Sequence, residues 1–255
     1  WCIANRIAYN ISVISMSLGD CTNHATYCNA DSSAPYINNA TLYNISVIVA
    51  SGNGPGLSCP SVTNTDGPAS PACVQNATAI GAINDADESI SYQRGKLFQL
   101  MAPGITINST FSGGSCLSGC SCSGNYMSCS GTSMSAPHAA GAFALFRQFF
   151  RLQKNRAPTP SEIKTIFNST GKQINDTSGT NLNYPIIDVY AAVDSLRVPI
   201  VTKISPSNNS YLNLSNQNST FTCNTSSNYD LANITFSLWN ASLLVYNLTE
   251  NITGI

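Results

Sequence analysis

The stretch CSGTSMSAPHAAG, from Cys129 to Gly141, holds a serine in a tight Gly-Thr-Ser turn and a histidine five residues on. A serine hydroxyl becomes a nucleophile when a nearby base takes its proton, and histidine most often fills that role. Ser133 and His138 are therefore the first pair to consider. If both lie on one helix, five steps of about 100° set them about 140° apart around the axis, which points His138 away from Ser133. His138 is expected instead to be a packed, hydrogen-bonded histidine. The only other histidine, His24, lies in the loop GDCTNHATYC between two cysteines. With no acidic side chain beside it to orient the ring, it is expected to be exposed. Neither is a convincing base. Ser133 alone also has a structural explanation, because serine or threonine before an apolar helix commonly caps it. The stretch departs from the G-x-S-x-G nucleophile elbow too, with Ser135 where the second glycine would stand.

The elements that must position these residues are legible in outline. Tyr9-Asn10-Ile11-Ser12-Val13-Ile14 returns as Tyr43-Asn44-Ile45-Ser46-Val47-Ile48, 34 residues later. That spacing is about one βα unit. Both copies run into β-branched, small-residue stretches, VISMSLG and VIVASGNG, which suit strands buried on both faces of a parallel sheet. Asn76 to Asp85 and Lys96 to Gly104 supply two further strand candidates. Ligands of open α/β sheets bind beyond the carboxyl ends of strands, where Ser17-Leu18-Gly19 and Ser51-Gly52-Asn53 fall. A long helix is expected from Ser133 to about Gln153, with Pro137 in its first turn and its first half largely buried. A second helix should open at Thr159-Pro160-Ser161-Glu162, a capping box. IIDVYAAVDSL reads as a short third helix.

Near residue 200 the composition changes. Serine, threonine and asparagine then alternate with apolar residues, the period of antiparallel strands. Cys223 and Trp239 are spaced like the paired cysteine and tryptophan of an immunoglobulin-type sandwich. The second cysteine of that pattern does not follow. Two domains are expected, residues 1–197 and a truncated β domain over 200–255. The chain opens on Trp1 and stops at Ile255 within a strand-like pattern, so it is expected to be part of a longer protein.

Composition narrows the function further. Net charge is −1 and charged residues make up only 9% of 255 residues, which leaves no electrostatic footprint for nucleic acid. No run approaches the ~18 apolar residues of a membrane span. Ten cysteines point to an oxidising compartment. Asn-x-Ser/Thr sequons are dense, at Asn39, Asn76, Asn108, Asn168 and Asn175, and more so after residue 200. Glycans there would supply the solubility that charge does not. Asn10 and Asn44 sit where strands begin and are expected to be unmodified. Short disulfide loops are expected between Cys21 and Cys28 and between Cys59 and Cys73. Cys116, Cys120, Cys122 and Cys129 do not have a standard zinc spacing and are expected to form two disulfides, with the pairing open.

Taken whole, Gly131-Thr132-Ser133-Met134-Ser135-Ala136-Pro137-His138 resembles the nucleophile motif of the subtilisin-like serine proteases, the subtilases. Three further segments agree in the same order: Val13 to Gly19, Val47 to Asn53, and Leu100-Met101-Ala102-Pro103-Gly104. The resemblance covers roughly residues 1–197. It implies a three-layer α/β fold with a mostly parallel sheet, and an enzyme that hydrolyses peptide bonds. It implies Ser133 as nucleophile and Asn53 as oxyanion donor, where the residues alone would read Asn53-Gly54 as a turn. Ser17, Leu18 and Gly19 would form one wall of the substrate pocket, and Ala50, Ser51 and Gly52 the other. The catalytic histidine and aspartate belong to family motifs not present in this chain, so the chain by itself is expected to be inactive. The implied partner is a polypeptide substrate. No cofactor is implied for the chemistry; the family often uses structural calcium, but no acidic ligand cluster stands out here. The setting implied is extracellular or cell-surface. The rival reading is a non-catalytic surface glycoprotein or adhesion scaffold on the same fold, because fold alone does not carry function.

Overall fold

The computed structural model describes residues 1–55, 59–86, 88–97 and 100–196, and the strand backbones 200–205, 222–226, 233–240 and 243–251. The chain divides into two compact units, Trp1–Ser195 and Leu196–Ile255. In chain order the first holds α1 (Cys2–Asn5), β1 (Val13–Met16), α2 (Ala34–Leu42), β2 (Ser46–Ala50), β3 (Thr78–Ile83), β4 (Ile90–Ser91) and β5 (Leu100–Pro103). Then come β6 (Ile107–Thr110), β7 (Ser121–Ser123), β8 (Tyr126–Cys129), α3 (Thr132–Lys154), α4 (Pro160–Thr170), β9 (Lys172–Asn175), β10 (Asn183–Ile186) and α5 (Val189–Asp194).

The main sheet runs β1-β2-β3-β5-β10-β9, with β4 paired to β3. The steps from β1 to β10 are parallel, and β9 closes that edge antiparallel. This is the parallel α/β sheet expected from the two early β-branched runs. Every residue of β2 and β3 is buried, which requires cover on both faces. On one face Val47 and Val49 pack with Ala34, Ile37 and Ala40 of α2. Side chains alternate along a strand, so Ile48 and Ala50 face the other side, where α3 lies across β1, β2, β3 and β5.

The internal repeat is structural. Asn10 and Asn44 both take left-handed backbone, φ 51° and 59°, just before the two parallel strands. Asparagine tolerates that conformation better than other residues with a side chain. Arg147, on α3, donates to the carbonyls of Asn44 at 2.8 Å and Pro158 at 3.2 Å, which ties the helix to the start of β2.

The long helix buries Ala136, Ala139, Ala142, Phe143, Phe146 and Phe150 along one side, while Leu145 and Leu152 face solvent. Its burial is thus a stripe rather than the whole first half, as one-sided contact with a sheet requires. The capping box expected at Thr159 is present: the Thr159 hydroxyl accepts from Glu162 N at 3.2 Å, and the Glu162 carboxylate accepts from Thr159 N at 2.7 Å. Bonding to Arg156, then to the Thr159 backbone, lowers the Glu162 pKa to about 2. The folded value lies below the unfolded one. The pair therefore contributes stability above the ordinary carboxylate pKa, near 4.5, and loses it as pH falls toward 2. Thermal melts of the native chain and of Glu162→Gln should differ at neutral pH and converge as pH approaches 2.

The second unit pairs β11 (Ile200–Ser205) with β12 (Thr222–Ser226), and β13 (Asn233–Asn240) with β14 (Leu243–Asn251), both antiparallel. This agrees with the period-2 alternation. The side chains of Cys223 and Trp239, and with them the immunoglobulin-type arrangement, lie outside the described residues.

Candidate active site

The carboxyl ends of β1 and β2 and the first turn of α3 enclose a cleft of about 420 Å³. Ser17, Leu18, Gly19, Ala50, Gly52, Asn53 and Ser133 all line it. Seven of the eight residues singled out from the sequence thus meet in one place. Ser51 does not. It is fully buried behind the wall, and its hydroxyl donates to the Gln93 carbonyl at 2.9 Å. Alternation along the strand turns Ser51 away from the side that Ala50 and Gly52 present. Asp20, Cys59 and Thr132 also line the cleft and were not foreseen. Asp20 directly follows Ser17-Leu18-Gly19, so adjacency in sequence was the signal available for it.

Ser133 is half-buried at the second position of α3. The helix is capped at Gly131 with no side-chain cap bond, so capping does not account for the serine. Gly131 has φ 152°, a backbone conformation that other residues rarely adopt, and a Cβ there would crowd Asn53 Nδ2 at 3.0 Å, so glycine suits both the turn and the approach of the asparagine. Asn53 Oδ1 accepts from Thr132 N at 2.8 Å and from the Thr132 hydroxyl at 2.9 Å. A backbone N–H can only donate, so the side-chain oxygen must face Thr132 and the amide nitrogen is left as the donor end. The Thr132 hydroxyl accepts in turn from Gly52 N at 3.1 Å. Asn53 and the residue before Ser133 are thereby locked together.

Pro137 falls in the second turn of α3, not the first, because the helix begins at Thr132. A proline there has no N–H for the carbonyl four residues back, which belongs to Ser133. The Ser17 hydroxyl donates to that carbonyl at 2.7 Å. A residue of one cleft wall thus replaces the missing helix bond of the serine. Ser17→Ala is expected to lower kcat for peptide hydrolysis roughly fivefold, about the worth of one hydrogen bond, and Ser17→Thr should restore it. Kinetics of the two variants of the intact protein check this.

Gln93, with 1% of its surface exposed, clamps the segment on both sides of Asn53. Its backbone N donates to Gly52 O at 3.3 Å and its Oε1 accepts from Gly54 N at 3.2 Å. Its Nε2 donates to Thr22 O at 2.9 Å, so one side chain joins the loops that follow β1 and β2. Gly52, at φ 113°, leaves it room: a Cβ there would fall 2.1 Å from Gln93 Oε1.

The Subtilase family profile matches residues 2–188. The chain belongs to the subtilase family. It is 30% identical over 195 residues to subtilisin of Bacillus pumilus, covering 75% of this chain and 58% of that protein. With subtilisin BL of Lederbergia lenta it shares 32% over 167 residues, 65% of this chain and 51% of the other. The subtilase chain thus spans about half the length of the curated relatives it matches. Its fold is similar to the solved structure of the prenylagaramide maturation protease PagA, with TM-score 0.57 and 20% identity, covering 77% of this chain and 66% of that one.

The histidines of this subtilase differ in part from expectation. His138 is hydrogen-bonded, with Nδ1 2.8 Å from Met134 O, but it is exposed rather than packed, because it lies on the solvent side of α3. His24 is half-buried rather than exposed, with Nε2 2.9 Å from the Thr22 hydroxyl. Neither lines the cleft with Ser133.

The disulfides also correct the sequence reading. The bonds are Cys21–Cys59 and Cys28–Cys73, not Cys21–Cys28 and Cys59–Cys73. The loops after adjacent parallel strands leave the sheet side by side, so their cysteines meet across the loops rather than within them. His24, Cys28 and Cys73 place donor atoms within 4.8 Å of one another, but the two sulfurs are consumed by their own bond. The later four cysteines form two disulfides, as expected, Cys116–Cys122 and Cys120–Cys129. They staple the small sheet β6-β8-β7, which leads directly into Gly131.

Proposed function

We propose that this subtilase chain carries the nucleophile, the oxyanion donor and the pocket walls of a secreted or surface serine endopeptidase. The observation that carries the reading is the lock between Asn53 Oδ1 and Thr132 N, which leaves the amide nitrogen of Asn53 as the donor end in the cleft that Ser133 also lines. Ser133 Oγ attacks a peptide carbonyl. The Ser133 N–H and the Asn53 amide receive the charge that develops on its oxygen, in the positive field at the N-terminus of α3. The base that takes the Ser133 proton, and the acid that orients it, belong to parts of the protein beyond this chain, so the chain alone does not hydrolyse peptides. The chemistry calls for no cofactor.

Four disulfides support an oxidising, extracellular setting. The sequon asparagines Asn39, Asn76, Asn108, Asn168 and Asn175 are all exposed, as glycan attachment requires. Among the described residues no helix is long and apolar enough to cross a membrane.

The test is hydrolysis by the intact protein. It should cleave a polypeptide, and a serine-directed phosphonate should label Ser133. Ser133→Ala should abolish both. An intact protein that neither cleaves nor is labelled would make this a surface scaffold on a protease fold.

A further inference from the structure

Asp20 is the one ionisable side chain among the described residues that line the cleft with Ser133. In a chain with so few charges, its position matters. Asp20 Oδ1 accepts from the Thr22 hydroxyl at 2.5 Å and from Ser70 N at 3.0 Å. Both bonds fall on that oxygen, so the carboxylate is held in place while Oδ2 stays available to a ligand. The described ion pairs, Arg94–Asp176, Arg156–Glu162 and Lys172–Glu88, give it no partner.

We propose that Asp20 makes this cleft a receptor for a basic side chain, so that substrates present lysine or arginine to the pocket beside the scissile bond. The inference rests on the proteolytic reading above and names its substrate class. The walls suit such a guest. Leu18, Ala50 and Gly52 are apolar or small and bound a cleft of about 420 Å³, with room for a long methylene stem. At its end an ammonium or guanidinium forms a charge-assisted bond with the anchored carboxylate. An apolar side chain in the same place would strip water from that carboxylate and return no bond to it, which penalises it relative to the basic one.

The experiment uses the intact protein and peptides that differ only in the residue before the scissile bond, arginine, lysine, glutamine or leucine. Arginine and lysine should give the highest kcat/KM. Asp20→Asn keeps an oxygen for Thr22 and Ser70, so the loop stays anchored while the charge is removed. It should reduce the arginine-to-leucine ratio about ten- to a hundredfold. Equal ratios in both proteins, or a native preference for leucine, would overturn the proposal. Calorimetric titration with benzamidine, a mimic of the arginine head group, provides a reading independent of turnover. If no peptide is cleaved, the proteolytic reading falls by itself, and benzamidine decides the Asp20 site. Binding that weakens in Asp20→Asn supports it, and absence of binding overturns it.

Discussion

Asn53→Asp in the intact protein is expected to lower kcat for peptide hydrolysis by about 10²- to 10³-fold or more, with KM changed far less. The substitution is chosen for what it keeps. Asn53 holds Thr132 through its oxygen, which accepts both the backbone N–H and the hydroxyl. Aspartate supplies the same acceptor, so the turn before Ser133 keeps its anchor. A negative charge near the N-terminus of α3 is also favourable to the helix, and thermal stability should hold or rise. What is lost is the donor at the other end of the amide. The oxyanion exists only in the transition state, so the loss falls on kcat. If kcat/KM for the best peptide changed less than threefold, Asn53 would be a turn residue and nothing more.

The second large effect concerns stability. Arg94 and Asp176 form a two-pronged ion pair, Nε to Oδ2 at 2.6 Å and Nη2 to Oδ1 at 3.0 Å, with side chains 7% and 1% exposed. Thr180 adds its N–H at 2.7 Å and its hydroxyl at 2.9 Å. Burial pushes the Asp176 carboxyl up, but the bonds from Arg94 and Thr180 outweigh it and hold the pKa below the ordinary value. Removing Arg94 leaves a buried carboxylate with no counter-charge. Arg94→Met is therefore expected to cost about 3–5 kcal/mol, which in a domain of this size lowers Tm by roughly 10 °C. The double variant Arg94→Met, Asp176→Leu should recover much of that loss, because no charge remains buried. Melting curves of the single and double variants check both statements. The native pair also responds to acid. Its folded carboxyl pKa lies below the unfolded one, so its stabilisation is present above the unfolded value and disappears as pH falls through the folded one. Gln93 is the neighbour of Arg94, so the same pair steadies the residue that clamps Asn53.

What could be read from the amino acids alone was whatever is local or periodic. The β-branched runs at Val13 and Val47 announced parallel strands, but only the second is buried on both faces; β1 ends the sheet and is partly exposed, against expectation. Thr159-Pro160-Ser161-Glu162 announced its capping box because those bonds span only three residues. Ser133 and Asn53 were reached through motif resemblance, and their own residue types read equally as a cap and a turn. Long-range pairing depended on the fold. Cys21 and Cys28 are seven residues apart, yet each bonds a cysteine of the next loop, because parallel topology sets the two loops side by side. Ser51 and Ala50 are neighbours in sequence and both are buried, yet only Ala50 lines the cleft, because successive side chains point to opposite sides. Ser17 serves Ser133, 116 residues away, because Pro137 leaves a carbonyl without its helix donor and the adjoining wall supplies one. The sequence by itself determined the strand and helix types and the chemical groups on offer. The tertiary structure decided which of those groups meet, since contacts between distant segments depend on how the chain packs rather than on local pattern.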